Sequence, residues 1–445
     1  LSETYEDGRN YNLYSWSAQK NIKPIVITDA KGVFLYDEEG KEYYDLSSQL
    51  VNMNIGHKHP FVTKAIANQA KDLPFIAPFY AHKVKSEAAK KIVELAPNNM
   101  AKVFFTNGGA EANEHAIRIA KQYTGKTKIL SGYYSYHGST YGASSMSGDP
   151  RRFFTEHPPA PGFVKFLNPY LYRSPFPFET EEQATEIYLR LLEEQIILEN
   201  PENIAAIWLE GVVGSNGVLL PPKGYMKGIR QLCDKYQILM VTDDVMVGFG
   251  RTGTWFSCEH FDYQPDLITF AKGVTSGYVP LGGVILSKDI ANYFEETPVV
   301  TGLTYSGHLM GCATALANIK VLEDEHLIEH TKKMGHILKG KLEKLKEQHS
   351  YIGDVRSIGL ISVIEFVKDT KTKERLVPYG QDPKGLMKRI KALLLQEGIA
   401  TFGRENLITV APPLTITKGQ LDDIFTKIDK VCQVLDKNLE DWMKA

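Results

Sequence analysis

The strongest constraint on this chain is an alternation. Apolar, β-prone runs at 103–106, 128–131, 204–210, 238–242, 267–270 and 283–286 are separated by longer stretches, several of them with helical periodicity. One of these, 111–123, is clearly amphipathic and opens directly after the first run. Strand and helix alternating in this way predict an α/β unit built on a mostly parallel sheet. The ends of the chain read differently. Short β-prone runs at 25–27, 33–36 and 42–45 are separated by the turn signals Asp29-Ala-Lys-Gly32 and Asp37-Glu-Glu-Gly40, which predict a small antiparallel sheet. Beyond about residue 315, Leu327, Thr331, Met334, Leu338, Leu342 and Leu345 fall three or four apart, as do Leu421, Ile424, Ile428, Val431, Leu435, Leu439 and Trp442. Between these two helices, 355–366 and 407–410 read as strands. The expected division is a small α+β domain assembled from 1–65 and 321–445, with a large α/β domain over 66–320. No internal repeat is visible.

Composition narrows the function. Lys plus Arg number 51 against 53 Asp plus Glu, a net charge of −2, so there is no electrostatic footprint for nucleic acid or an acidic membrane. Hydrophobic residues make up 43%, enough for a large core. No apolar run approaches the roughly 18 residues of a membrane span. The beginning, Leu1-Ser-Glu-Thr-Tyr-Glu-Asp7, has no basic cap or apolar stretch and no initiator Met, so a trimmed start is expected. Cys233, Cys258, Cys312 and Cys432 stand alone, without the spacing of a zinc or thioredoxin-type motif. A reduced, cytoplasmic protein is the simplest expectation.

Several short motifs carry possible chemistry. Gly248-Phe-Gly-Arg-Thr-Gly253 is formally a dinucleotide signature, yet no helical stripe follows it, and Asp266 precedes a strand where an acid should end one. Thr106-Asn-Gly-Gly-Ala-Glu-Ala112 follows a strand and opens a helix; its glycines and the helix dipole suit a phosphate, although a plain N-cap explains the same residues. Asp243 and Asp244 end a strand, where α/β proteins bind ligands; a cap or a salt bridge is the bland alternative. Lys272, directly after 267–270 and before Gly273, is placed to be a desolvated nucleophile or simply a surface charge. Tyr136-His137-Gly138 suits a ring over a planar ligand, or core packing. His57-Lys-His59 precedes Pro60 in a loop and reads as structural, so no metal site is expected. A phosphate cradle, an aromatic lid, an acid for a ring nitrogen and a lysine for an aldehyde together describe pyridoxal 5′-phosphate.

From about Pro24 to its end the chain resembles the class III, or ω-amino acid, branch of fold-type I pyridoxal-phosphate aminotransferases, and within it the taurine and β-alanine transaminases. The segments that carry the likeness are Thr106-Asn-Gly-Gly-Ala-Glu-Ala-Asn113, Tyr136-His-Gly138, Asp243-Asp-Val-Met-Val-Gly-Phe-Gly-Arg-Thr-Gly253, Phe270-Ala-Lys-Gly273 and Thr304-Tyr-Ser-Gly-His308, with 29 residues from Asp243 to Lys272. The resemblance implies a large domain with a mostly parallel seven-stranded sheet and a small domain made by both termini. It implies that Lys272 holds the cofactor and then shuttles the proton, and that Asp243 pairs with the ring nitrogen. Val245 would pack under the ring and Tyr136 over it, with His137 and Glu210 also at the cofactor. Gly108, Gly109 and Ala110 would hold the phosphate through backbone N–H groups. Thr304 would reach the phosphate of the neighbouring subunit, so a homodimer is implied. Leu50 and Val51 match a segment of the family's substrate pocket, and Arg404 resembles its mobile arginine, although a solvated loop arginine is the plain alternative.

The chain departs from the family at several positions. Gly108-Gly109-Ala110 replaces a Ser-Gly-Ser phosphate loop, Asp244 replaces a Glu, and Glu210-Gly211 stands where Glu-Pro is common. Ser139 and Thr409 stand where ornithine- and GABA-type members carry arginines for a dicarboxylate. The resulting expectation is ping-pong transfer from an ω-amino acid, taurine or β-alanine, to a keto acid, with pyruvate preferred over 2-oxoglutarate. An amino-acid racemase or aminomutase of the same fold, and a non-catalytic cofactor-binding protein, are the alternatives.

Overall fold

The computed structural model describes residues 2–154 and 159–444. Its centre is a seven-stranded sheet in the order Met100–Thr106, Gly282–Ser287, Leu267–Phe270, Leu239–Asp243, Ile204–Leu209, Lys128–Gly132 and Phe163–Phe166. Gly282–Ser287 runs antiparallel to both neighbours, and the remaining pairs are parallel. Every residue of Ile204–Leu209 is buried, which is why it reads as one unbroken apolar run instead of alternating. The edge strand Phe163–Phe166 is absent from the sequence-based expectation, because four residues interrupted by Lys165 carry too little pattern. Six strands point the same way, so their carboxyl ends meet along one edge, where open α/β sheets bind ligands.

Segments from the two ends of the chain share one sheet. Strands Ile27–Lys31, Phe34–Asp37 and Glu42–Asp45 form an antiparallel sheet completed by Ile399–Ala400, which pairs in parallel with Glu42–Asp45. The first strand begins at Ile27, where the expected one ended. A second sheet contains Ile352–Ile358, Ile361–Asp369, Leu407–Val410 and Gly403–Arg404. The single strand expected over 355–366 is therefore a hairpin, bent at Gly359, whose φ of 54° favours glycine. Helices Leu327–Gln348 and Lys418–Lys444 bury the residues that carry their periodicity, among them Leu338, Leu342, Ile424 and Ile428.

The domain division expected at 65/66 and 320/321 cuts two helices, Pro60–Asp72 and Leu309–Asp324, which pack against each other. No glycine or proline run loosens either helix there, so an apolar face continues across each position. Among the described residues no helix is long and apolar enough to cross a membrane.

Candidate active site

The site is built from the carboxyl ends of the strands. Asp243 ends Leu239–Asp243 and is 4% exposed. Its Oδ1 accepts the Val245 N–H at 3.0 Å, and its Oδ2 accepts from Asn113 Nδ2 at 2.8 Å and from His137 Nδ1 at 2.7 Å. Asn113 is itself pinned: Nδ2 also donates to the His137 carbonyl at 2.7 Å, while Oδ1 accepts from Trp208 Nε1 at 3.2 Å and Thr269 Oγ1 at 3.0 Å. The acid is thus aimed by a fully satisfied buried amide. Sequence reading assigned Asn113 no role. The available signal was a polar residue on the buried Ala116–Ala120 face of its helix.

Successive residues of a strand point to opposite faces. Asp243 faces the cavity, and Asp244 turns behind it to accept from the Ser257 N–H at 2.6 Å and from the Ser257 hydroxyl. Burial raises the Asp244 carboxyl to about 7. The same contact accounts for Gly211, since a Cβ there would fall on the Ser257 hydroxyl. Two departures from the family pattern, Asp244 and Gly211, therefore meet at Ser257.

Lys272 follows strand Leu267–Phe270 in a left-handed conformation, φ 47°. Burial pushes its amine below the usual lysine range, Asp243 and Glu210 oppose that shift, and Arg151 adds to it. Glu210 accepts the Tyr136 N–H at 2.9 Å and the Gly214 N–H at 2.7 Å, and burial raises its carboxyl to about 7. Helix Gly109–Thr124 starts at the same edge, with Gly108 as a cap that offers no side chain. Its first amides have no intrahelical partner and are available to an anion. A Cβ on Gly109 would lie 2.7 Å from Val245 Cγ1, so Val245 packs directly on this turn. Gly138, at φ 134°, lets the Tyr136–His137 loop press on Ala110, whose Cβ would be 2.6 Å from an added Cβ.

These groups line one cavity of about 860 Å³, which brings together Gly108, Gly109, Ala110, Tyr136, His137, Glu210, Asp243, Val245, Lys272, Leu50 and Arg404. Two expected residues lie outside it. Val51 is buried against Val212, Val218, Val247 and Ile361, because the backbone kinks at Gln49 (φ 61°) and Val51 (φ 59°), leaving Leu50 in the cavity wall. Thr304 is exposed and away from the cavity of its own chain. Gly248–Gly253 forms a tight turn, with the Phe249 N–H bonded to the Trp255 carbonyl at 2.7 Å and the Gly250 N–H to Thr254 at 3.0 Å; no helix opens on its glycines. His57 pairs with Asp45 at 2.8 Å and His59 with Glu325 at 2.8 Å.

The outer cavity holds residues that sequence reading passed over. The Arg151 guanidinium carbon lies 3.2 Å from the Tyr136 ring centre and 6.0 Å from that of Trp16. Arg404 faces it, with Nη1 3.5 Å from Asp149 Oδ2. Burial and the Arg151 charge both lower the Arg404 pKa. Lys391 lines the same wall. The signal for Arg151 was Asp149-Pro150-Arg151, a turn sequence that returns a side chain onto its own acid. Of the two positions without arginine, Ser139 hydrogen-bonds the Tyr136 hydroxyl at 2.8 Å, and Thr409 is buried in its sheet.

The donor set fits pyridoxal 5′-phosphate. One rigidly held acid is available for a ring nitrogen, one desolvated lysine for an aldehyde, a bare helix start for a phosphate and Tyr136 for the ring face. Comparison with known proteins agrees. The aminotransferase class-III family matches residues 15–432. The chain is 33% identical over 446 residues to a taurine–pyruvate aminotransferase of Bilophila wadsworthia, covering 96% of each protein. The structure of a taurine:2-oxoglutarate aminotransferase from Bifidobacterium kashiwanohense, in complex with pyridoxal phosphate and glutamate, superposes with a TM-score of 0.96 at 46% identity, covering 98% of each chain. An (S)-enantioselective ω-transaminase from Thermomicrobium roseum gives 0.93 at 36% identity over 97% of this chain and 98% of the other. The chain belongs to the class-III aminotransferases and is a transaminase that works with pyridoxal 5′-phosphate.

Proposed function

We propose that the enzyme moves the amino group of a taurine-type ω-amino acid to 2-oxoglutarate in a ping-pong cycle. The observation that carries this reading is the pair of guanidiniums, Arg151 and Arg404, in the wall of the Lys272 cavity. A compact amine ending in a sulfonate or carboxylate needs one such cation, and a dicarboxylate acceptor has a use for both. That pair moves the preferred acceptor from pyruvate, the expectation drawn from Ser139 and Thr409, to 2-oxoglutarate. The likeness to the taurine:2-oxoglutarate enzyme supports the same choice. β-Alanine, with a carboxylate in place of the sulfonate, is the second donor.

When bound, pyridoxal phosphate supplies an aldehyde that takes up the amino group and a ring that spreads the charge released at the amine-bearing carbon. Lys272 holds it through its amine. The same amine would serve as the base that carries the proton, its pKa lowered by burial. Asp243 keeps the ring nitrogen protonated, and Asn113 and His137 hold Asp243 in place. The amides of Gly109 and Ala110 bind the phosphate. Arg151 and Arg404 orient the substrate by its anionic end. Thr304, exposed on its own subunit, completes the phosphate site of a second copy in a homodimer. Four free, buried cysteines fit a reducing cytoplasm.

The test is a half-reaction screen that follows the cofactor absorbance on mixing with taurine, β-alanine, putrescine and simple alkylamines, then regenerates it with 2-oxoglutarate or pyruvate. Fastest conversion by taurine and fastest recovery with 2-oxoglutarate are expected. Preference for an uncharged amine would remove the anion site from the reading. Conversion of one amino acid into its isomer, with no net transfer to any keto acid, would instead identify a racemase or aminomutase.

A further inference from the structure

Arg151 and Arg404 carry like charges toward the same space, so something must hold them there. Among the described residues the acid paired with both is Asp149, which is 1% exposed and sits behind the guanidiniums. Its Oδ1 accepts from the Arg151 backbone N–H at 2.9 Å and from Arg151 Nε at 3.1 Å, and Oδ2 accepts from Nε at 2.8 Å and from Nη2. Arg151 Nη2 also reaches Ser215 Oγ at 3.3 Å. The Nε–Nη2 edge of the fork is thereby occupied, and the Nη1 edge is the one left to meet a ligand. Asp149 is anchored in turn by its own N–H, which donates to the Ser135 carbonyl at 3.2 Å. Pro150 stiffens the link between acid and arginine.

We propose that Asp149 is the positioning residue of the outer cavity: it clamps Arg151 and steadies Arg404, and so sets the preference for anionic ω-amino acids over plain amines. This rests on the anion-binding reading given above. A bidentate arginine contact is strong only in the right orientation, and a loose pair of guanidiniums separates by repulsion. Positioning and simple electrostatics make opposite predictions. Neutralising an acid beside two arginines raises the local positive charge, so electrostatics alone would tighten anion binding. Loss of the clamp weakens it.

The experiment compares Asp149→Asn, Asp149→Glu and Arg151→Ala in the holoenzyme by two readouts. One is calorimetric binding of propane-1-sulfonate, which has no amine and cannot react. The other is the ratio of specificity constants for taurine and propylamine. Asp149→Asn is expected to weaken sulfonate binding tenfold or more and to lower the ratio by a similar factor, with Asp149→Glu recovering part of both. Arg151→Ala is expected to lose sulfonate binding. Unchanged or tighter binding in Asp149→Asn, with loss in Arg151→Ala, would overturn the positioning role and leave the proposed function standing. Unchanged binding in Arg151→Ala would overturn the anion site itself, and the role of Asp149 with it.

Discussion

Asp244→Asn tests whether the acid behind Asp243 is held neutral by its burial. An exposed Asp titrates near 3.8, and in the fold the group is raised to about 7. The folded protein therefore binds this proton more tightly than the unfolded chain. The resulting stability is fully present below pH 3.8 and is lost as pH rises through about 7. A displacement of about three units corresponds to about 4 kcal/mol in full, of which about 3 kcal/mol disappears between pH 5 and pH 8.5. Asparagine has the same shape, stays neutral throughout, accepts the Ser257 N–H and donates to the Ser257 hydroxyl. Equilibrium urea unfolding, followed by tryptophan fluorescence at the two pH values, is the assay. The variant should gain about 3 kcal/mol relative to wild type on going from pH 5 to pH 8.5. Glu210 also titrates near 7, but it is common to both proteins and cancels. Parallel pH dependence in the two proteins would refute the burial argument, and a variant that weakens at high pH would reverse its sign.

Lys272→Ala should lose the absorbance of the lysine-linked cofactor and several orders of magnitude in turnover, because nucleophile and proton carrier vanish together; normal turnover would sink the mechanism. Asp243→Asn should keep the cofactor bound and slow proton removal from deuterium-labelled substrate, measured by stopped flow; an unchanged rate would strip Asp243 of its role. Asn113→Ala should give a weaker form of the same defect. A bond to a charged group is worth about 1.5–3 kcal/mol, so a loss of roughly tenfold to a hundredfold in that step is expected. Arg404→Ala should lower the specificity constant about tenfold to a hundredfold for taurine and for the keto acid, and far less for propylamine; intact taurine turnover would remove Arg404 from the anion site.

Much of this protein is legible in one dimension because its signals are local. A run such as 204–209 shows its burial by being apolar throughout, and the helix after Gly108 shows its start by glycines and its face by Ala112 and Ala116. Lys272 and Asp243 stand at strand ends, and the strands themselves are visible, so the sequence alone puts both at the ligand edge. The edge strand Phe163–Phe166 and the break at Gly359 were not legible: four residues hold too little period, and one glycine in an apolar run marks a turn only once both arms are seen to pair.

The amino-acid sequence by itself determined the order of elements, the sheet class and the chemistry available at the strand ends, since propensity, period and residue type act over a few neighbouring positions. The tertiary structure alone decided which distant side chains meet. Asn113 meets Asp243 across 130 residues, Arg251 reaches Ser48 and Asn54 across 203 and 197, and Arg404 comes to Asp149 from a distant part of the chain. Leu50 and Val51 are neighbours with similar side chains, yet a backbone kink sends one to the cavity and the other to the core. Such contacts depend on backbone direction and on the packing of distant segments, and neither leaves a periodic trace in the chain.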